Sequence, residues 1–134
     1  MPDYLDTSAF IKLVRSEPES AALRRELAGR ELLSSALLTV EGRRAARRSG
    51  ELASERARAA LTAITLIPLD QPILDAAAEL DPAELRSLDA LHLATALSLN
   101  QDRAPVLLRQ GSLRHRADSR YRGLPASLRF YPSM

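Results

Sequence analysis

Tyr4-Leu5-Asp6-Thr7-Ser8-Ala9 opens the chain with two bulky apolar residues, one acid and a run of small residues. Residues 3–6 read as a short strand ending at Asp6, with Thr7 or Ser8 able to cap the helix that follows. Phe10, Ile11, Leu13 and Val14 then fall at helical spacing. A carboxylate among apolar neighbours is costly to bury unless a cation or a chemical task accounts for it. The same situation recurs far along the chain, in Arg86-Ser87-Leu88-Asp89-Ala90-Leu91-His92.

Between these runs the pattern alternates. A second helix is expected after Pro18, with Ala22, Leu23 and Leu27 on its buried face and Gly29 ending it. Strands are expected at residues 31–36, 65–69 and 104–108, and helices at 37–48, 51–63, 72–80 and 87–99. Asp81-Pro82-Ala83-Glu84 resembles a capping box with proline at the first helical position. The helix over 87–99 is apolar on nearly every side, which means it is buried. Strands alternating with helices in this way imply a parallel sheet covered by helices.

In such sheets ligands gather at the carboxyl ends of the strands, at a topological switch point. Asp6 ends the first strand, Asp89 begins the buried helix, and Glu41 lies in the first half of the helix after the second strand. Three carboxylates converging there would repel one another unless a cation neutralised them. Oxygen ligands without cysteine suit Mg2+ or Mn2+ better than zinc. Each acid also has a plain structural role open to it. Asp6 can cap the first helix, Glu41 can pair with Arg44 on a helix surface, and Asp89 can favour the helix dipole. Ser8 either caps or hydrogen-bonds a metal-bound carboxylate. Arg86 is a carboxylate partner or a phosphate contact. His92, one turn after Asp89 and in reach of it, reads as a satisfied core residue rather than a ligand.

The 134 residues suit one domain. Hydrophobic residues make up 46% but aromatics only 4%, so Ala and Leu dominate and helices are favoured. No apolar run is long enough to cross a bilayer, and no secretory leader is evident, so no membrane association is expected. The absence of cysteine excludes disulfides and thiolate ligands and fits a cytoplasmic protein. Residues 103–134 carry seven Arg and one Asp, whereas Lys12 is the only lysine of the chain. Arg forks suit an anionic partner, although a high-GC coding bias accounts for most of the Arg.

An ordered set of motifs resembles the PIN-domain ribonucleases, and within them the VapC-type toxins of bacterial toxin–antitoxin pairs. It comprises Tyr4 to Phe10 with Lys12-Leu13, Ser34-Ser35 through Thr39-Val40-Glu41, Ile67-Pro68-Leu69, and Leu85 through Ala96. The resemblance implies a three-layer α/β/α fold with a central parallel sheet of four to five strands. It implies that Asp6, Glu41 and Asp89 are three of four acids holding Mg2+, with Mn2+ as the other candidate, and that the activity is RNA phosphodiester hydrolysis. It also implies a small VapB-type antitoxin as partner, and a homodimer.

The match breaks after the fourth strand, where the family places its fourth acid. Here the chain reads Leu107-Leu108-Arg109-Gln110-Gly111, with Asp102 before the strand and Asp118 well beyond it. Leu-Arg-Gln encoded as CTA CGA CAA reads, one base on, as Tyr-Asp, the missing pattern, so a frameshift near residues 104–108 is inferred. The expected organisation is a PIN domain over 1–108 and an Arg-rich, poorly ordered segment over 109–134. Two function classes follow. One is a metal-dependent endoribonuclease toxin; the other is a weakened module that binds RNA or antitoxin without efficient cleavage. A phosphotransferase of the haloacid dehalogenase class needs a second Asp where Ser8 stands, and no glycine-rich turn supports a dinucleotide site. Gly42, inside a helix, costs about 1 kcal/mol relative to Ala.

Overall fold

Every strand of the sheet runs parallel, and helices follow β1, β2 and β3 and precede β4 to cover its two faces. The computed structural model describes residues 2–102, 107–110 and 129–132. In chain order the elements are β1 (Asp3–Leu5), α1 (Thr7–Val14), α2 (Ser20–Leu27), β2 (Leu32–Ser35), α3 (Leu38–Arg48) and α4 (Glu51–Thr62). There follow β3 (Ile64–Ile67), α5 (Gln71–Ala78), α6 (Ser87–Asp102), β4 (Leu107–Gln110) and β5 (Arg129–Pro132). The sheet order is β3-β2-β1-β4-β5. The expected α/β/α architecture is therefore present, with five strands.

The two helical layers follow from the two-residue period of a strand. Tyr4 pairs with Leu33 across β1 and β2, and both enter a cluster with Ile73 and Ala77 of α5 and Leu93 and Ala94 of α6. Leu5, one residue on, turns to the other face and packs with Phe10, Leu38, Ala46 and Ala57 from α1, α3 and α4. The leucine, isoleucine and phenylalanine side chains among these each contribute about 1.5–3 kcal/mol when fully buried. Asp3 is also buried, and its charge is met by Arg30 just before β2.

From β1 the chain steps through β2 and β3 in one direction, then returns to the opposite side of β1 with β4. That reversal makes the carboxyl end of β1 the switch point. Asp6 stands there.

Several local expectations change. Of the caps open to α1, Asp6 is the one used, as one of its two readings had it, and not Thr7 or Ser8; it accepts from the Ala9 N–H at 2.9 Å. Residues 81–84 begin no helix. They turn, with the Leu85 N–H donating to the Pro82 carbonyl at 3.0 Å, and Leu85 goes into the core. Burial of that leucine overrides the capping pattern, and α6 starts only at Ser87. The boundary at residue 108 falls inside a strand, because β4 continues to Gln110 and pairs with β5 over residues 129–132. Four residues at a sheet edge leave too short a pattern to read, and an edge is where Pro132 is tolerated. Residues 104–106 of the expected fourth strand lie outside the described residues, as does the 111–128 portion of the Arg-rich segment.

Gly42 has a tertiary explanation. A Cβ there would lie 2.7 and 2.9 Å from two atoms of the buried Phe10 ring, so glycine lets α3 approach α1. Gly50, at φ 105° between α3 and α4, adopts a backbone that other residues rarely reach. Among the described residues no helix is long and apolar enough to cross a membrane.

Candidate active site

Asp6 is held by its own neighbourhood. One carboxylate oxygen, Oδ1, accepts from the Ala9 N–H at 2.9 Å and from the Ser8 hydroxyl at 2.7 Å. Capping and site-building are thus one arrangement, because the cap points Asp6 along the sheet rim. Burial pushes the Asp6 carboxyl above its usual range, and the charge of Asp89 pushes it the same way, against the two hydrogen bonds.

Glu41 is held from a distance. Its Oε1 accepts from the Thr7 hydroxyl at 2.9 Å and lies 3.0 Å from His92 Nε2. Burial alone would raise its pKa, but the hydrogen bonds from His92 and Thr7 hold it below the usual carboxylate range. The surface pairing with Arg44 does not form; α3 turns Glu41 toward α1 and α6 instead. His92 is buried and engaged at both ring nitrogens. Nδ1 is 2.9 Å from the Tyr4 hydroxyl, and Nε2 is 3.1 Å from the Thr7 hydroxyl oxygen as well as near Glu41. It is a satisfied residue, but its partners are Tyr4, Thr7 and Glu41 rather than Asp89.

Asp6, Glu41 and Asp89 all line one cavity of about 450 Å³ at the switch point. Ser8 lines it too. Arg86 does not: it is exposed just ahead of α6, with its carbonyl accepting the Ala90 N–H at 2.8 Å. Sequence reading left out Thr7, the cations Lys12, Arg15 and Arg48, and the acid Glu17, all of which line the same cavity. Their signal was helical phase. Ser8, Lys12 and Arg15 follow at i, i+4 and i+7 on α1 and just beyond it, and Glu41 and Arg48 are seven apart on α3, so each set shares a face. A second cavity of about 400 Å³, lined by Leu13, Leu27, Leu32 and Ala60 among others, holds no carboxylate and offers no comparable chemistry.

The donor set fits a hard divalent cation. The side chains are oxygen donors. Asp6 spends Oδ1 on its cap and leaves Oδ2 without a hydrogen bond among the described residues, and Glu41 likewise leaves Oε2. The repulsion between Asp6 and Asp89 is what a cation relieves. Among the described residues no three acid or imidazole groups form a ready-made cage. Mg2+ does not require one, since it is commonly bound through one or two carboxylates and keeps several waters.

The model of the PIN-domain family matches residues 4–104. The chain belongs to the PIN-domain family. Within it the chain is VapC-like: it is 50% identical over 100 residues to Ribonuclease VapC46 of Mycobacterium tuberculosis, covering 74% of this chain and 77% of that protein. Ribonuclease VapC47 of the same species is 41% identical over 105 residues, with 74% and 77% covered. Among solved structures, a toxin–antitoxin complex from Klebsiella pneumoniae shares the PIN fold with a TM-score of 0.70 over 98% of both chains, at 21% identity.

Proposed function

We propose that this chain is the endoribonuclease toxin of a VapBC-type toxin–antitoxin pair, cleaving cytoplasmic RNA at the cavity lined by Asp6, Glu41 and Asp89 with Mg2+ as its cation. The observation that carries the reading is the meeting of these acids with a cationic rim in one cavity at the switch point. A bound divalent cation supplies an activated water and stabilises charge on the phosphate. Asp6 and Asp89 would hold it, with Glu41 beside them.

The remaining work falls to the chain's own groups. Ser8 and the Ala9 N–H fix the rotamer of Asp6, and Thr7 and His92 fix that of Glu41. Lys12 and Arg48 attract and seat the phosphate backbone of the substrate; neither has an acidic partner among the described residues. Arg15 is already engaged by the Ser49 hydroxyl at 2.6 Å and by Glu17 at 3.7 Å, so it shapes the rim more than it binds. Val40 and Leu88, 59% and 46% exposed beside Glu41 and Asp89 in sequence, offer apolar surface to an antitoxin segment or a second copy.

The test is cleavage of a labelled RNA by the purified chain with Mg2+ and with chelator. Cleavage should require the cation and fall to background in Asp6→Asn and Asp89→Asn. Cleavage that survives both substitutions removes the proposed site. One observation favours a second reading, a module that binds RNA without efficient turnover: β4 ends at Arg109-Gln110, beside β1, with no acid there. Tight RNA binding without metal-dependent cleavage would select that reading.

A further inference from the structure

We propose that His92 is a positioning residue for Glu41, locked by Tyr4 in the tautomer that carries its hydrogen on Nε2. The inference rests on the reading of the cavity given above: it deepens the part His92 plays there and assigns one to Tyr4, a buried residue that reading does not use.

The argument is hydrogen accounting along one chain of contacts. Thr7 has a single hydroxyl hydrogen, and it points to Glu41 Oε1. Toward His92 Nε2, at 3.1 Å, the Thr7 oxygen is therefore an acceptor, and Nε2 must carry the hydrogen. That N–H forks between Thr7 Oγ1 and Glu41 Oε1, the latter at 3.0 Å. One ring hydrogen is then enough, because Nδ1 is left as an acceptor for the Tyr4 hydroxyl at 2.9 Å. Tyr4 is wholly buried in β1, and its ring meets the imidazole edge-on, with centroids 5.9 Å apart and planes at 78°. Tyr4 orients the ring from the sheet side, and Thr7 and Tyr4 together leave the single hydrogen on Nε2.

The consequence reaches the cavity. With Oε1 taken by Thr7 and His92, the carboxylate of Glu41 cannot spin freely, and Oε2 is the oxygen left for a ligand. A buried polar network is expensive unless every member is satisfied, and here each member has a partner.

Three variants and one spectrum test this. His92→Gln keeps an N–H donor near the position of Nε2, His92→Leu keeps bulk without a donor, and Tyr4→Phe removes only the hydroxyl. Mn2+ affinity measured by titration calorimetry should fall on the order of 10- to 100-fold in His92→Leu, the usual effect of losing a group that orients a ligand. His92→Gln should recover most of that loss, and Tyr4→Phe should fall between. Long-range 1H–15N correlation on the wild-type protein should show His92 with its hydrogen on Nε2. The spectrum tests the tautomer even if His92→Leu does not fold, and the affinity of Tyr4→Phe then tests the positioning role. Wild-type Mn2+ affinity in a folded His92→Leu, or a hydrogen on Nδ1, overturns the proposal. Asp6→Asn serves as reference. If it abolishes Mn2+ binding while His92→Leu does not weaken it, only the positioning role fails. If Asp6→Asn binds Mn2+ normally, the cavity reading itself fails.

Discussion

At the β1–α1 junction, Asp6 takes its hydrogen bonds from Ser8 and Ala9, two and three residues along the chain. At the contact of α1, α3 and α6, Glu41 takes its own from Thr7 and His92, 34 and 51 residues away. Both acids line one cavity. The first needs only a strand that ends and a helix that begins. The second needs three helices packed at the right distance, and the approach of α3 to α1 depends on Gly42 against Phe10. One acid is therefore robust to distant change, and the other depends on the packing of the whole α1–α3 face.

The largest test of this contrast is Gly42→Val. Helix propensity alone would not penalise the change, but the new side chain collides with a buried ring, and overpacking of this kind costs about 1–3 kcal/mol. Urea denaturation should show the loss. Among folded molecules, the amide resonances near Glu41 and His92 should shift more than those of Asp6 and Ala9. An equal shift at both places would erase the distinction.

A middle-sized test sets the acids against each other. Burial raises Asp6, so folding favours its protonated form, and its ionisation costs stability as pH rises from the ordinary Asp value through the raised one. Glu41 is held low, so its contribution is full above the ordinary Glu value and is lost as pH falls through the depressed one. At neutral pH Asp6→Asn should leave stability unchanged or raise it, since Asn still caps α1. Glu41→Gln should lower it by about 1–2 kcal/mol, through loss of charge-assisted hydrogen bonds. Denaturation midpoints across a pH series read both signs. Like-signed changes would break the comparison.

The smallest effect belongs to Ser8→Ala. Ser8 is exposed and supplies one of the two hydrogen bonds to Asp6 Oδ1. Removing it should cost under about 1 kcal/mol, with a modest fall in RNA cleavage, because the Ala9 N–H still holds the carboxylate.

The two acids also mark how far reading the chain could go. Asp6 was legible because every partner it uses lies within one turn, and backbone geometry alone brings i+2 and i+3 to it. The buried character of α6 was legible because apolar residues surround it. The alternation of strands and helices was enough for the layered parallel sheet. Glu41 was legible as an acid in the right region but not in its bonding. Arg44 and Asp89 stood at suitable spacing for Glu41 and His92, yet the two side chains chose each other and Thr7. The capping pattern at residues 81–84 lost to burial of Leu85, and β5, four residues ending in proline, was too short to announce itself.

Residue order alone determined the layers, the strand that delivers Asp6 to the rim and the three acids available to the site. Tertiary structure alone decided that Thr7 and His92 hold Glu41, that Tyr4 stands behind His92, and that Gly42 is a packing requirement rather than a defect. Contacts within a helical turn are dictated by covalent geometry and can be counted along the chain. Contacts between helices depend on which side chains can interdigitate, a property of the packed core that spacing does not carry.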